Sequence, residues 1–160
     1  MLDSPLQAAH YPFRDCHQVF CHRAAVSGAQ LLTQFATAAP AWANTLMRWR
    51  NRIASRFGLK AGPMQQTGAI TLQVGQQVGM FRIMALGPQR VVLGEDDAHL
   101  NFRILLSSRP AADGNLLQVE TWVRPHHWGG WLYLALVLPV HYLLSKLMLR
   151  RMARALELPA

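Results

Sequence analysis

The sequence predicts an α+β fold: a helix pair near the start, an antiparallel meander in the middle and one long covering helix at the end. Three observations predict it. Apolar residues recur at helical spacing from Trp42 to Phe57. They alternate with polar residues from His99 to Val123, as along a half-buried strand pair. Helical spacing then returns from Gly130 to about Leu156, in a segment apolar enough to cover a sheet.

The elements follow in order. Residues 1–14 read as an N-terminal tail, and residues 15–157 as one domain. Asp15–His22 (DCHQVFCH) reads as a first strand. Ser27 is placed to cap a helix running from Gly28 to about Ala38. Pro40 opens a second helix that ends at Gly58. Its stripe of Trp42, Leu46, Trp49, Ile53 and Phe57 is expected to dock on the core, with Arg48 and Arg52 on the solvated back. The alternative is a basic amphipathic helix for a membrane surface.

After a loop over residues 60–68 the period falls to two. Gly79–Leu86 is a strand with Phe81, Ile83 and Ala85 on one face, and Arg90–Gly94 is the next. Glu95, Asp96 and Asp97 form an acidic turn. From His99 to Ser107, Leu100, Phe102, Ile104 and Leu106 face one way while His99, Asn101, Arg103 and Leu105 face the other. Asp113-Gly114 is a hairpin signal. The return strand sets Leu117, Val119, Thr121 and Val123 on the apolar face, with Gln118, Glu120 and Trp122 opposite. A cross-strand pair between Glu120 and Arg103 is expected on the outer face. In the last helix Trp131, Leu134, Leu138, Tyr142, Leu149, Met152 and Leu156 form the expected buried stripe, with a kink at Pro139.

Composition limits the function. The chain has 160 residues, 51% hydrophobic and 15% charged, which excludes a disordered chain. Sixteen cations against eight acids give a net charge of +8, which favours anionic partners. Fourteen of the sixteen are Arg, spread along the chain rather than grouped on one element with aromatics, which argues against nucleic acid. Cys16 and Cys21 lie too close for a useful disulfide, and the N-terminus lacks the apolar core of a secretory signal. A cytoplasmic location is therefore expected. Residues 125–145 carry no formal charge and are long enough to span a membrane. That is the minority reading, because a span would remove the meander's cover and send the arginine-rich residues 1–124 across the bilayer. Peripheral contact with an anionic membrane stays open, through Arg48, Arg52, Arg150, Arg151 and Arg154, all expected to be exposed.

Several groups bear chemistry. Cys16-His17 and Cys21-His22 offer four soft donors, but a strand sends His17 and Cys21 to one face and Cys16 and His22 to the other. No metal site or cofactor is expected from them. Asp97 beside His99 resembles a carboxylate orienting a base, and His126 sits where the last strand meets the last helix; these are the weak catalytic candidates. His141 lies on an otherwise apolar helix. No phosphate loop, nucleophile elbow or metalloprotease motif is present.

The stretches Val74–Gly79 (VGQQVG), Val92–Arg103 (VLGEDDAHLNFR), Trp122–Leu144 (WVRPHHWGGWLYLALVLPVHYLL) and Ala41–Lys60 (AWANTLMRWRNRIASRFGLK) resemble a bacterial family of unknown function. Its members stand alone or follow an NAD-dependent epimerase-like domain. The element order also resembles the helix-grip fold of the START-like, or polyketide cyclase, superfamily. That resemblance implies a curved sheet gripping the last helix around a cavity for lipids, sterols or polyketides, with chemistry in some members. The expected function is binding of a hydrophobic or aromatic small molecule between sheet and last helix, lined by Trp49, Phe81, Phe102, Tyr133 and His141. A small cyclase- or hydrolase-type enzyme using pocket His and Asp, and a membrane-associated protein, are the alternatives.

Overall fold

Antiparallel pairing of six strands builds one sheet in the order Phe13–Cys21, Gly114–Pro125, Leu100–Ala111, Arg90–Asp96, Phe81–Leu86 and Gln77–Val78, crossed on one face by a 30-residue helix. The computed structural model describes residues 10–55, 72–96 and 100–158. The elements are β1 (Phe13–Cys21), α1 (Gly28–Thr37), α2 (Ala41–Ser55), β2 (Gln77–Val78), β3 (Phe81–Leu86), β4 (Arg90–Asp96), β5 (Leu100–Ala111), β6 (Gly114–Pro125) and α3 (Trp128–Glu157). This is the α+β helix-grip arrangement: an antiparallel sheet packed against a long C-terminal helix, with two helices after the first strand.

The alternation read from β5 and β6 sets the inner face. Phe102, Ile104 and Leu106 lie opposite Val123, Thr121 and Val119. β4 continues the face through Leu93 and Val91, which pair with Ile104 and Leu106. Against it pack Leu31, Leu32 and Phe35 of α1 and Met148, Leu149, Met152 and Leu156 of α3. α1 begins as its sequence predicts. The Ser27 hydroxyl accepts from Gln30 N–H while the Gln30 side chain accepts from Ser27 N–H, a complete capping box. Gly28 N–H donates to Pro88 O at 2.7 Å, seating the helix on the β3–β4 turn. Beside β3, Gly75 and Gly79 adopt φ of +89° and +61°, the left-handed region that side chains avoid.

Residues 22–27 are held on both sides. Ser108 Oγ donates to Val26 O at 2.7 Å, and Asn115 Nδ2 to Arg23 O at 2.7 Å. Arg23 Nη1 donates to Leu156 O at 2.8 Å and His22 N–H to Glu157 Oε1 at 2.8 Å, tying the end of β1 to the end of α3.

Several expectations change. β1 begins at Phe13, and Tyr11 ahead of it is buried against Trp122 on the outer face. A register shift between Ile83 and Ala85 pairs Ala85 with Val92, which turns Ala85 to the outer face, away from Ile83. Glu95 and Asp96 are not a turn; they extend β4 and pair with Phe102 and Asn101. Arg103 and Glu120 share the outer face but do not pair. Arg103 meets Asp96 instead, through Nη1–Oδ1 at 2.7 Å and Nη2–Oδ2 at 3.1 Å. Gly94 makes room for this fork, since a Cβ there would lie 2.8 Å from Arg103 Cδ. Glu120 accepts from Trp122 Nε1 at 3.0 Å and from Gln118 Nε2. Asp96→Ala would leave the buried Arg103 guanidinium without its carboxylate. Because Asp96 itself is half exposed, urea unfolding should register a loss of about 1–2 kcal/mol.

The two largest departures concern helices. Trp42, Leu46 and Trp49 of α2 are exposed rather than docked on the core; Ile53 lies among side chains that are not described, and Phe57 outside the described residues. In α3 the expected stripe is correct at Leu134, Leu149, Met152 and Leu156, but Trp131 and Tyr142 are exposed. The helix runs continuously through Pro139. Arg48, Arg52, Arg150, Arg151 and Arg154 are all exposed, as expected.

Candidate functional site

The inner face of β1 breaks the apolar pattern of the sheet. Burial alternates strictly along the strand, so Phe13, Asp15, His17 and Val19 turn inward while Arg14, Cys16, Gln18 and Phe20 turn out. Cys21, buried at the end of the strand, shares that face, so two of its five residues are polar. Opposite them on β6 stand Thr121, paired with Asp15, and Val119, paired with His17. α3 crosses above, and its inward side brings His141 down onto the same spot.

Three side chains converge there. Asp15 Oδ2 lies 2.9 Å from His17 Nε2 and 3.2 Å from His141 Nε2. Tyr142 flanks both rings, edge-on to His17 at 6.1 Å and tilted to His141 at 5.9 Å between centroids. Side-chain exposure is only 11% for Asp15, 12% for His17 and 21% for His141. Asp15 Oδ2 is thus shared as an ion-pair partner by both rings, and Asp15 Oδ2, His17 Nε2 and His141 Nε2 are buried without a well-directed hydrogen bond. Each such group carries a desolvation cost of about 1–3 kcal/mol. Orphaned polar atoms are few in folded proteins, so three at one point need an explanation.

Apolar surface surrounds the cluster. On one side Phe13, Phe102, Tyr133 and Leu138 pack around Leu100, Val123 and Leu134. On the other, Val19 and Leu144 pack against the main core. The result is a seam between sheet and helix that is apolar along its length and polar at one point.

Electrostatics set the protonation of the point. Burial pushes the His141 imidazole below the ordinary histidine value of 6.5; the Asp15 carboxylate opposes this shift and His17 adds to it. The sign for stability follows. Above pH 6.5 His141 is neutral in both folded and unfolded chains, and its contribution is fully present. As pH falls below 6.5 the unfolded chain takes up a proton before the folded one does, so stability declines until the lowered folded value is reached. Urea midpoints should therefore drop on acidification below pH 6.5. Replacing His141 by Leu should flatten that part of the profile; an unchanged profile would assign the proton elsewhere.

The predicted site residues fall in different places. His141 belongs to the cluster. Phe102 and Tyr133 line the seam, part-buried. Phe81 is buried deeper, between Phe35 at 5.9 Å and Phe102 at 5.6 Å. Trp49 is 59% exposed on α2, with the Arg52 guanidinium 5.6 Å from its ring centroid. His126 is exposed at the junction of β6 and α3. Asp97 and His99 lie outside the described residues. Sequence reading missed Asp15 as a partner and took His17 only as a soft donor beside cysteine. The available signal was the spacing: Asp15 and His17 are two apart, so any strand puts them on one face. Cys16 and Cys21 are both free, one exposed and one buried, on opposite faces of β1. Among the described residues no group of three or more His, Cys, Asp and Glu is arranged to hold a metal ion.

A search of curated proteins finds no match to this chain. Residues 7–148 match the family described as "Protein of unknown function (DUF2867)", a span that includes β1, the meander and the part of α3 that carries His141. The chain belongs to this family.

Proposed function

We propose that the domain binds a hydrophobic or aromatic small molecule along the seam between the inner sheet face and α3, and holds a polar group of that molecule at Asp15, His17 and His141. One observation carries this reading: three buried polar atoms meet without well-directed hydrogen bonds inside an otherwise apolar seam. A neutral imidazole has one donor and one acceptor nitrogen. Such a ring at His141, beside a carboxylate, suits a hydroxyl, which both donates and accepts, better than an anionic head group. The helix-grip arrangement supports the same reading, because it lays a long helix across the apolar inner face of the sheet.

The test is histidine-resolved NMR with three probes: a long-chain alcohol, a fatty acid and a phenol. The alcohol or the phenol should move the ring signals of His17 and His141 and leave those of His126 and His127 in place. If none of the probes moves either ring, the reading fails.

A second reading rests on the same geometry. An imidazole beside a carboxylate is the arrangement of a general base with its orienting group, which fits a small cyclase- or hydrolase-type enzyme with His141 as base and Asp15 as its positioning residue. In that case Asp15→Asn would abolish turnover of a bound substrate while retaining its binding. In a pure binding domain, no bound molecule changes chemically.

A further inference from the structure

The outward side of α3 has no role in the seam, yet it is apolar for four turns. Trp128, Leu132, Leu136 and Leu143 are exposed, Leu136 at 69% and Trp128 at 79%. At 100° per residue these positions fall within one quadrant of the helix, as do Lys146, Arg150 and Arg154 further along. One face is thus apolar for about 22 Å and then basic for about 12 Å. Glu157 is the helix's sole acid, and it is taken up by His22 at the far end. Among the described residues no carboxylate pairs with Lys146, Arg150 or Arg154, and an anionic partner would supply the negative complement to this face.

We infer that the outer face of α3 is a docking surface for an anionic lipid bilayer, lying in the plane of the interface with its first half immersed and its last turns on the head groups. The charge pattern selects this occupant. Interfacial helices combine Trp and Leu on the immersed side with Lys and Arg that reach anionic head groups. A second copy of the chain fits poorly. Two such faces side by side in parallel bring cations together, and in antiparallel they set cations on leucine without counter-charge.

The helix is long and apolar enough to cross a membrane by length and composition. Its inward side, however, is committed to the sheet: Leu134, Met148, Leu149, Met152 and Leu156 are buried there. Crossing would strip these contacts, whereas lying in the interface keeps them. α2 offers a second exposed stripe in Trp42, Leu46 and Trp49, with Arg48 and Arg52 exposed on the same helix.

Flotation of the whole chain with vesicles tests the inference. The protein should float with phosphatidylcholine/phosphatidylglycerol vesicles, stay behind with phosphatidylcholine alone, and be released by high salt or alkaline carbonate. Leu132→Glu/Leu136→Glu alters only exposed positions, so its circular dichroism and melting should match the parent. Its vesicle affinity should fall about a hundredfold, about tenfold for each leucine no longer immersed. Arg150→Glu/Arg154→Glu should weaken binding and reduce its salt dependence. The inference is overturned if the parent does not float, if Leu132→Glu/Leu136→Glu floats equally well, or if carbonate fails to release the protein, which would indicate a span. Sedimentation showing a dimer that these leucine substitutions dissolve, without vesicle binding, would assign the face to a second copy instead.

Discussion

Gly114→Ala is expected to lose about 3–5 kcal/mol of folding stability, near the top of the range for one substitution. Gly114 opens β6 directly against the end of β1. A Cβ at that position would lie 2.2 Å from the Cys21 carbonyl oxygen and 3.0 Å from His22 Cα. Both are backbone atoms, so no rotamer change relieves the overlap. The end of β1 would have to lift away. It cannot do so cheaply, because Cys21 is fully buried and the residues after it are tied to β6 by Asn115 and to α3 by Arg23 and His22. The loss would reach α3 as well, since those ties also position the helix end. Urea unfolding of the substituted protein measures it. A loss under about 1 kcal/mol would contradict this tight approach of the end of β1 to the start of β6.

His141→Leu is expected to have the opposite effect on stability while removing binding. Leucine has similar bulk and no polar atoms, and the seam around residue 141 is mostly apolar. The substitution deletes one orphaned nitrogen, and stability should rise by about 1 kcal/mol. The same change removes a donor and an acceptor from the place where we put the ligand's polar group. Stability gained as binding is lost is what a site built for function shows when its polar groups are replaced. A large destabilisation with binding unchanged would make the cluster structural.

Much of this fold is legible because β5 and β6 have high contrast. Along Leu100, Phe102, Ile104 and Leu106 every second side chain is apolar, and the partner strand repeats the pattern from Leu117 to Val123, so face and pairing follow from spacing alone. Where contrast fails, the reading drifts. The first half of α3 is apolar all round, so Trp131 and Leu134 are equivalent in sequence, and only the sheet decides that Leu134 goes in. The stripe becomes reliable again after Lys146, where cations mark the outside. Ala85 is misplaced for another reason: a bulge is a property of two paired strands, and no residue in GMFRIMAL announces it. α2 shows a third limit. A stripe of Trp42, Leu46 and Trp49 looks the same whether it faces a core or is left exposed.

The candidate site is half visible. His141 stands out as a polar residue on an apolar helix. Asp15 and His17 do not, because β1 has few apolar residues to mark its inner face and the two polar residues alternate with Cys16 and Gln18. Their meeting with His141 depends on α3 crossing over the edge strand β1, a contact between positions more than a hundred residues apart in sequence.

Native mass spectrometry of the gently purified chain beside His141→Leu and Leu132→Glu/Leu136→Glu tests ligand binding in the seam most directly. The parent should carry an adduct of constant mass that is absent from His141→Leu and retained by the leucine double substitution, whose altered face is not the binding seam. An adduct carried equally by the parent and His141→Leu, or a parent with no adduct that binds none of the NMR probes, would contradict binding there.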